Sequence, residues 1–358
     1  MKKSTLFKTG LALALTLTLT ACGGNKDKGA ATDSKDSGAP KEEVKADDYS
    51  AALVTDLGGI DDKSFNQSAW EGLQEWGKAN GKEKGTGGFN YYQSNSDSDF
   101  SPNLNTAIND GFSTIFGIGF KLQPAVEEIA GSNQDTQFVI IDSVIEGKDN
   151  VTSVVFKDNE AAYLAGIAAA QTTKTKKVGF VGGQEGEVIG RFEAGFKAGV
   201  ESVDPEIKID SQYAGSFGDA AKGKSIAAAM YKSGVDVIFH ASGDTGNGVF
   251  AEAKDIMKTK PADKVWVIGV DRDQEAEGEY DGGNVTLTST LKGVGTAVND
   301  LATKSQNGEF PGGETIVYGL KDGGVDLTKG QLEADVQKSV DEAKEKVVSG
   351  EVEVPEKP

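Results

Sequence analysis

Asp56-Leu-Gly-Gly-Ile-Asp-Asp-Lys-Ser-Phe-Asn-Gln-Ser-Ala-Trp-Glu-Gly72 is the stretch on which the reading of this 358-residue chain turns. Just before it, Ser50-Ala-Ala-Leu-Val-Thr55 has the short, apolar, partly β-branched character of a buried strand. Behind it, Phe65, Ala69, Leu73 and Trp76 recur at helical spacing and predict a helix with one apolar face. Between the two lies a glycine turn carrying Asp56, Asp61, Asp62 and Asn66, with Ser64 placed to cap the helix. A strand-loop-helix unit of this kind brings its loop to the carboxyl edge of a parallel sheet, where open α/β sheets bind ligands. The same acids also suit an ordinary turn in which they complement a helix N-terminus.

Outward from that unit the pattern alternates. Strands are predicted at 51–55, 88–92, 114–117, 137–141 and 151–156, with helices at 103–111 and 124–132 between them. A helix at 159–173 leads into a second series. Its strands fall at 177–181, 207–214, 235–240 and 265–270, and its helices at 191–203, 219–233 and 248–258. The chain closes with strands at 285–290 and 315–319 and helices at 293–307 and 329–349. Such a βαβα series predicts parallel sheets with helices on both faces. Two successive series of about 100 residues suggest two similar lobes. The last stretch is too short for a third domain and is expected to cross back and complete both.

The N-terminus speaks about location. Lys2, Lys3 and Lys8 precede an apolar run from Gly10 to Thr20 that is too short to span a bilayer. It ends in Leu19-Thr-Ala-Cys22-Gly-Gly, the pattern of a bacterial lipoprotein signal, so Cys22 is expected to carry lipid. Cys22 is the only cysteine, which excludes an intramolecular disulfide and a cysteine metal site. Residues 23 to about 48 hold almost no bulky apolar side chain and read as a disordered tether. The formal net charge is -19, and loss of the three leader lysines takes it to about -22. That charge argues against nucleic acid and against anionic lipid surfaces as partners.

Several chemistries are weak on these residues. Gly218-Asp-Ala-Ala-Lys-Gly-Lys-Ser225 matches the phosphate-binding loop pattern letter for letter. Its interior is helix-forming, however, Asp219 is a natural N-cap, and a carboxylate beside a phosphate nest opposes the anion. The single histidine, His240, ends an apolar strand and has no second histidine to pair with, which removes His-based metal clusters and weakens any triad. Polar and aromatic groups collect instead where strands give way to helices, at 56–66, 117–120, 142–143, 190–192, 215–219 with Phe217 alone in a glycine loop, 242–247, 271–273 and 289–292. The only two arginines, Arg191 and Arg272, also fall at such places. Facing polar loops without a nucleophile describe a cleft that closes on a small polar ligand.

Asp61-Asp-Lys-Ser-Phe-Asn66 with Trp70-Glu-Gly72, Gly215-Ser-Phe-Gly-Asp-Ala-Ala-Lys-Gly223 and Gly246-Asn-Gly-Val249 resemble the basic membrane protein (PnrA-like) family. These are purine-nucleoside-binding lipoproteins that serve ABC importers. The resemblance runs from the lipobox to about Gly319. It implies a type I periplasmic-binding-protein fold, two Rossmann-like lobes with parallel sheets joined by three crossovers. The expected division is a leader over 1–21, a tether over 22–49, a first lobe from 50–156 plus 289–310 and a second from 157–288 plus 311–350.

In that family a purine lies between two aromatics, which here implies Phe65 and Phe217. Asp271 is implied as acceptor of the ribose hydroxyls, completed by Lys292, Asp142 and Gly243. Asp56 and Asp62 are implied at the base edge, with Asn66 beside them. The resemblance implies a monomer on the extracytoplasmic face of the cell membrane, with an ABC permease as partner, no enzymatic activity, no cofactor and no metal. Two other functions fit the residues less well: a binder of a sugar or other small polar metabolite on the same fold, and a surface hydrolase built on paired carboxylates or on Gly218–Ser225.

Overall fold

The computed structural model describes residues 48–358. The expected leader, the lipidation site at Cys22 and the expected tether as far as residue 47 lie outside them. The folded part begins earlier than expected, because Tyr49 is buried with its ring edge-on to Trp76 at 5.4 Å.

The first sheet is built from β1 (Ala51–Val54), β2 (Phe89–Tyr92), β3 (Thr114–Ile118), β4 (Gln137–Ile141), β5 (Val151–Phe156) and a later strand, β13 (Thr315–Tyr318). Their order is β13-β5-β4-β3-β1-β2, and every pairing is parallel. All four residues of β1 are fully buried because helices cover both faces. Leu53 packs towards α1 (Phe65–Ala79) and α8 (Val294–Gln306) on one side. Ala52 and Val54 pack towards α2 (Phe100–Asn109) and α3 (Gln123–Ser132) on the other. That burial on both faces is why parallel strands read as continuous apolar runs.

The second sheet repeats the plan. Here β6 (Lys177–Gly182), β7 (Lys208–Tyr213), β8 (Val237–Ala241), β9 (Trp266–Gly269), β12 (Thr286–Lys292) and β14 (Val325–Leu327) are ordered β14-β12-β9-β8-β6-β7. Only β14 runs antiparallel to its neighbour, β12. A small hairpin, β10 (Glu279–Tyr280) and β11 (Gly283–Asn284), stands apart. The flanking helices are α4 (Asp158–Thr172) and α5 (Glu187–Val203), α6 (Ala220–Lys232) and α7 (Thr245–Thr259), with α9 (Ala334–Ser349) against α4.

The chain passes between the sheets three times: after β5, after β12, and between β13 and β14. The expected lobe boundaries need correction. Residues 289–292 finish β12 in the second sheet rather than entering the first lobe, and 315–318 pair with β5 in the first sheet rather than joining the second. A short apolar strand names its own conformation but not its partner, which depends on the free sheet edge it meets. β14, only three residues long, was not expected at all. Among the described residues no helix is long and apolar enough to cross a membrane.

Candidate ligand-binding cleft

The β1–α1 loop is held by its own carboxylates. Asp62 accepts four donors: Ser64 N at 2.8 Å and Gln67 N at 3.1 Å on one oxygen, Asn66 N at 2.9 Å and Asn66 Nδ2 at 3.0 Å on the other. It therefore does the capping expected of Ser64, whose side chain makes no capping bond. Asn66 Nδ2 also donates to Asp56 Oδ1 at 2.6 Å, and Asn66 Oδ1 accepts Asp56 N at 3.2 Å. Asp56 Oδ1 further accepts Gly58 N, which leaves Oδ2 turned towards Gly119. So Asp62 and Asn66 spend their polar groups on the loop itself, and Asp56 is the group they present. Burial pushes the Asp56 carboxyl up to about 6. Asp61 is exposed and lies outside the cavity.

Loop and strand ends from both sheets line a cavity with about 490 Å³ of space between atoms, part of it open to solvent. All nine expected residues line it: Asp56, Asp62, Phe65, Asn66 and Asp142 from the first lobe, Phe217, Gly243, Asp271 and Lys292 from the second. Phe65, although it opens the apolar repeat of α1, faces the cavity while Ala69, Leu73 and Trp76 fill the core. Phe217 lies against Gly183, where a Cβ would come within 2.2 Å of its ring, and meets Phe120 edge-on at 6.2 Å.

Asp142 and Asp271 follow β4 and β9, and both hold left-handed backbone, with φ of 66° and 68°. Non-glycine residues rarely adopt it, and such positions cluster at ligand clamps. Lys292 donates to Asp142 Oδ2 at 2.6 Å, while Asp142 Oδ1 is buried without a hydrogen-bond partner. Asp271 receives the hydroxyl of Ser64 from the opposite lobe. Burial pushes Asp271 up to about 7 and also raises Asp142, in each case against the pull of Lys292. Burial works against the Lys292 charge too, but the carboxylates of Asp142, Asp158 and Asp271 outweigh it and raise the ammonium above its ordinary range.

The two lobes are closed on each other. Asn247 Nδ2 donates to the Asp62 carbonyl at 3.2 Å and Gln274 Nε2 to the Lys63 carbonyl at 2.9 Å. With Ser64 bonded to Asp271, three consecutive residues of the first lobe's loop are gripped by the second. Arg272 adds a rim ion pair with Glu71 at 3.1 Å.

Some lining residues carried no polar signal in the sequence. Val188 and Ile189 line the cavity because α5 begins at Glu187, four residues before the expected 191. Of the expected stretch 190–192, Phe192 lines the cavity, whereas Arg191 does not and turns to Asp158 instead. His240 is fully buried behind the cleft, with Nε2 3.0 Å from Gln274 Oε1. Burial pushes it down to about 4, so it is neutral at ordinary pH. The phosphate-loop match is a helix start. Asp219 caps Lys222 N at 2.8 Å, Gly223 and Lys224 lie inside α6, and Lys224 pairs with Asp255 at 2.6 Å. Among the described residues no cluster of His, Cys, Asp and Glu is placed to hold a metal.

The family model for ABC transporter substrate-binding proteins of the PnrA-like type matches residues 49–358. A Listeria innocua protein, CD4+ T-cell-stimulating antigen, is 52% identical over 366 residues, covering 100% of both chains. The Lactococcus lactis ABC transporter nucleoside-binding protein BmpA is 51% identical over 363 residues, again covering 100% of each. Among solved structures, an ABC transporter solute-binding protein from Aeropyrum pernix superposes with a TM-score of 0.75 at 27% identity. That match covers 86% of this chain and 94% of the other.

Proposed function

We propose a function from one premise: the chain belongs to the PnrA-like family of ABC transporter substrate-binding proteins, which bind a solute and are not enzymes. The solute is a purine nucleoside, taken up in the interlobe cavity and handed to a membrane permease. The observation that carries this reading is a pairing within one closed space. Phenylalanines from opposite lobes, Phe65 and Phe217, accompany two clamped carboxylates, Asp142 and Asp271. Flat apolar faces suit a heteroaromatic base, and carboxylates with open acceptor sites suit vicinal hydroxyls. The unpartnered Asp142 Oδ1 is such a site.

Charge narrows the class further. Four carboxylates line the cavity against the one ammonium of Lys292, which is already paired. A phosphate would enter a negative field, so the neutral nucleoside is favoured over the nucleotide. The Lactococcus relative, named as a nucleoside-binding protein, supports the same class. Asp56 is the group available to the base edge, steadied by Asp62 and Asn66. Lipid on Cys22 would hold the protein at the extracytoplasmic face, within reach of its permease.

Calorimetric titration tests this, using protein that begins at Cys22→Ala and has been denatured and refolded to strip any bound solute. Adenosine or guanosine is expected to saturate one site, with ribose silent and adenosine monophosphate much weaker. Silence for every nucleoside would overturn the proposal.

A further inference from the structure

Lys292 is buried to 3% side-chain exposure and contacts two carboxylates, not one. Asp142 Oδ2 lies 2.6 Å from its ammonium and Asp158 Oδ1 3.0 Å. The rings of Phe156, Phe65 and Phe192 stand 5.1, 5.2 and 5.6 Å away and fill the remaining directions. Two carboxylates on one ammonium in apolar surroundings leave an excess negative charge, which is costly to bury. Arg191 removes that excess. Its Nε and Nη2 lie 3.3 and 3.1 Å from Asp158 Oδ2, so two guanidinium donors converge on one oxygen. The four groups then sum to zero.

Neither Asp158 nor Arg191 lines the cavity. Both are fixed by the fold. Asp158 opens α4 directly after the first crossover, and Lys292 ends β12 just before the second. Arg191 lies in α5, which is seated on α4 by a glycine. A Cβ at Gly195 would fall 2.1 Å from the Asn159 carbonyl, so no larger residue permits that approach. Lys292, Asp158 and Arg191 thus belong to the second lobe and its crossovers, and Asp142 reaches them from the first. We propose that Asp158 and Arg191 are positioning residues that hold the Lys292 ammonium in place and neutralise its surroundings, so that Asp142 Oδ1 is presented to the ligand's hydroxyls. Asp271, across the same end of the cavity, is the other carboxylate acting on Lys292. The proposal rests on the nucleoside reading above.

Arg191→Met keeps the length of the side chain and removes its charge, and Arg191→Lys restores the charge. Each variant is titrated with adenosine and with 2′,3′-dideoxyadenosine, which lacks the hydroxyls, after circular dichroism has shown it folded. Arg191→Met is expected to weaken adenosine by about tenfold at pH 7.5, as for loss of one charged hydrogen-bond contact. It should leave the dideoxy compound within about twofold of wild type, and Arg191→Lys should recover most of the loss. Wild-type affinity for adenosine in a folded Arg191→Met, or an equal loss for both nucleosides, would overturn the proposal.

If wild-type protein binds no nucleoside, it is the functional reading that falls, and ligand-free protein decides the pair. Arg191→Met leaves one buried negative charge that a proton can neutralise, so the folded state of the variant binds more protons than that of wild type. Its stability deficit in urea should therefore be larger at pH 7.5 than at pH 5.5. A deficit equal at both pH values would remove the charge-balancing role.

Discussion

Asp142 and Asp271 occupy corresponding places in the two lobes, each beyond the third strand of its sheet's order, and each in left-handed backbone. Their surroundings differ. Asp142 is met across the cleft by an ammonium and keeps one oxygen without a partner. Asp271 is met by a hydroxyl, that of Ser64, and has no cation in direct contact among the described residues. The same backbone device thus aims two acceptors at one cavity while their charges are handled in opposite ways. One is balanced by a cation. The other is left to burial, which pushes it up to about 7.

Lys292→Met strikes the first arrangement and spares the Ser64 bond of the second. Removing one partner of a buried charge pair costs about 3–5 kcal/mol. Urea unfolding at pH 7.5 should show a loss of that order, together with loss of nucleoside binding. Because burial holds the Asp142 carboxyl high, part of the stability should return towards pH 5 as that group takes a proton. An unchanged midpoint would show that Asp142 does not depend on its cation.

The rings come next in size. Base stacking contributes roughly 1–3 kcal/mol per face. Phe65→Ala and Phe217→Ala should each weaken purine nucleoside binding by roughly ten- to hundredfold, and the double variant should bind nothing measurable by calorimetry. Unchanged affinity in the folded double variant would leave the carboxylates as the whole site.

The uncompensated acid has a pH signature of its own. Asp271 rises in the folded state from 3.8 to about 7, so its contribution to stability is complete below 3.8 and is lost as the pH climbs through 7. Replacing it by Asn should flatten the stability profile across that window by up to about 1.4 kcal/mol per pH unit. Parallel profiles for the two proteins would contradict this. Ser64→Ala, which removes only the hydroxyl partner, is the mildest change, at roughly 1–2 kcal/mol of stability by urea unfolding. A larger loss than for Lys292→Met would reverse the ranking of the two carboxylates.

Much of this molecule is legible in its sequence because parallel strands buried on both faces leave apolar runs, and because ligand groups sit where those runs end. Asp142, Phe217, Gly243, Asp271 and Lys292 lie in stretches that position marks and that the family resemblance narrows to single residues, and all line the cavity. Three things were not legible, each for a physical reason. The pairing of β13 with the first sheet depends on which edge is free, not on the strand itself. Val188 and Ile189 look like any core residues until a helix start turns them into the cleft. The capping by Asp62 depends on which backbone N–H groups its loop brings to it, so a carboxylate expected at the base edge also caps the helix and steadies Asp56 through Asn66. Likewise nothing local to Arg191 names Asp158, which lies 33 positions away on another helix.

The most direct test of this binding mode is a crystal structure of the refolded protein with its tightest-binding purine nucleoside. The base is expected between Phe65 and Phe217, with the ribose hydroxyls within hydrogen-bond distance of Asp142 Oδ1 and Asp271. A nucleoside bound outside this cavity, or one with its ribose turned to Asp56 and its base among Asp142, Asp271 and Lys292, would contradict it.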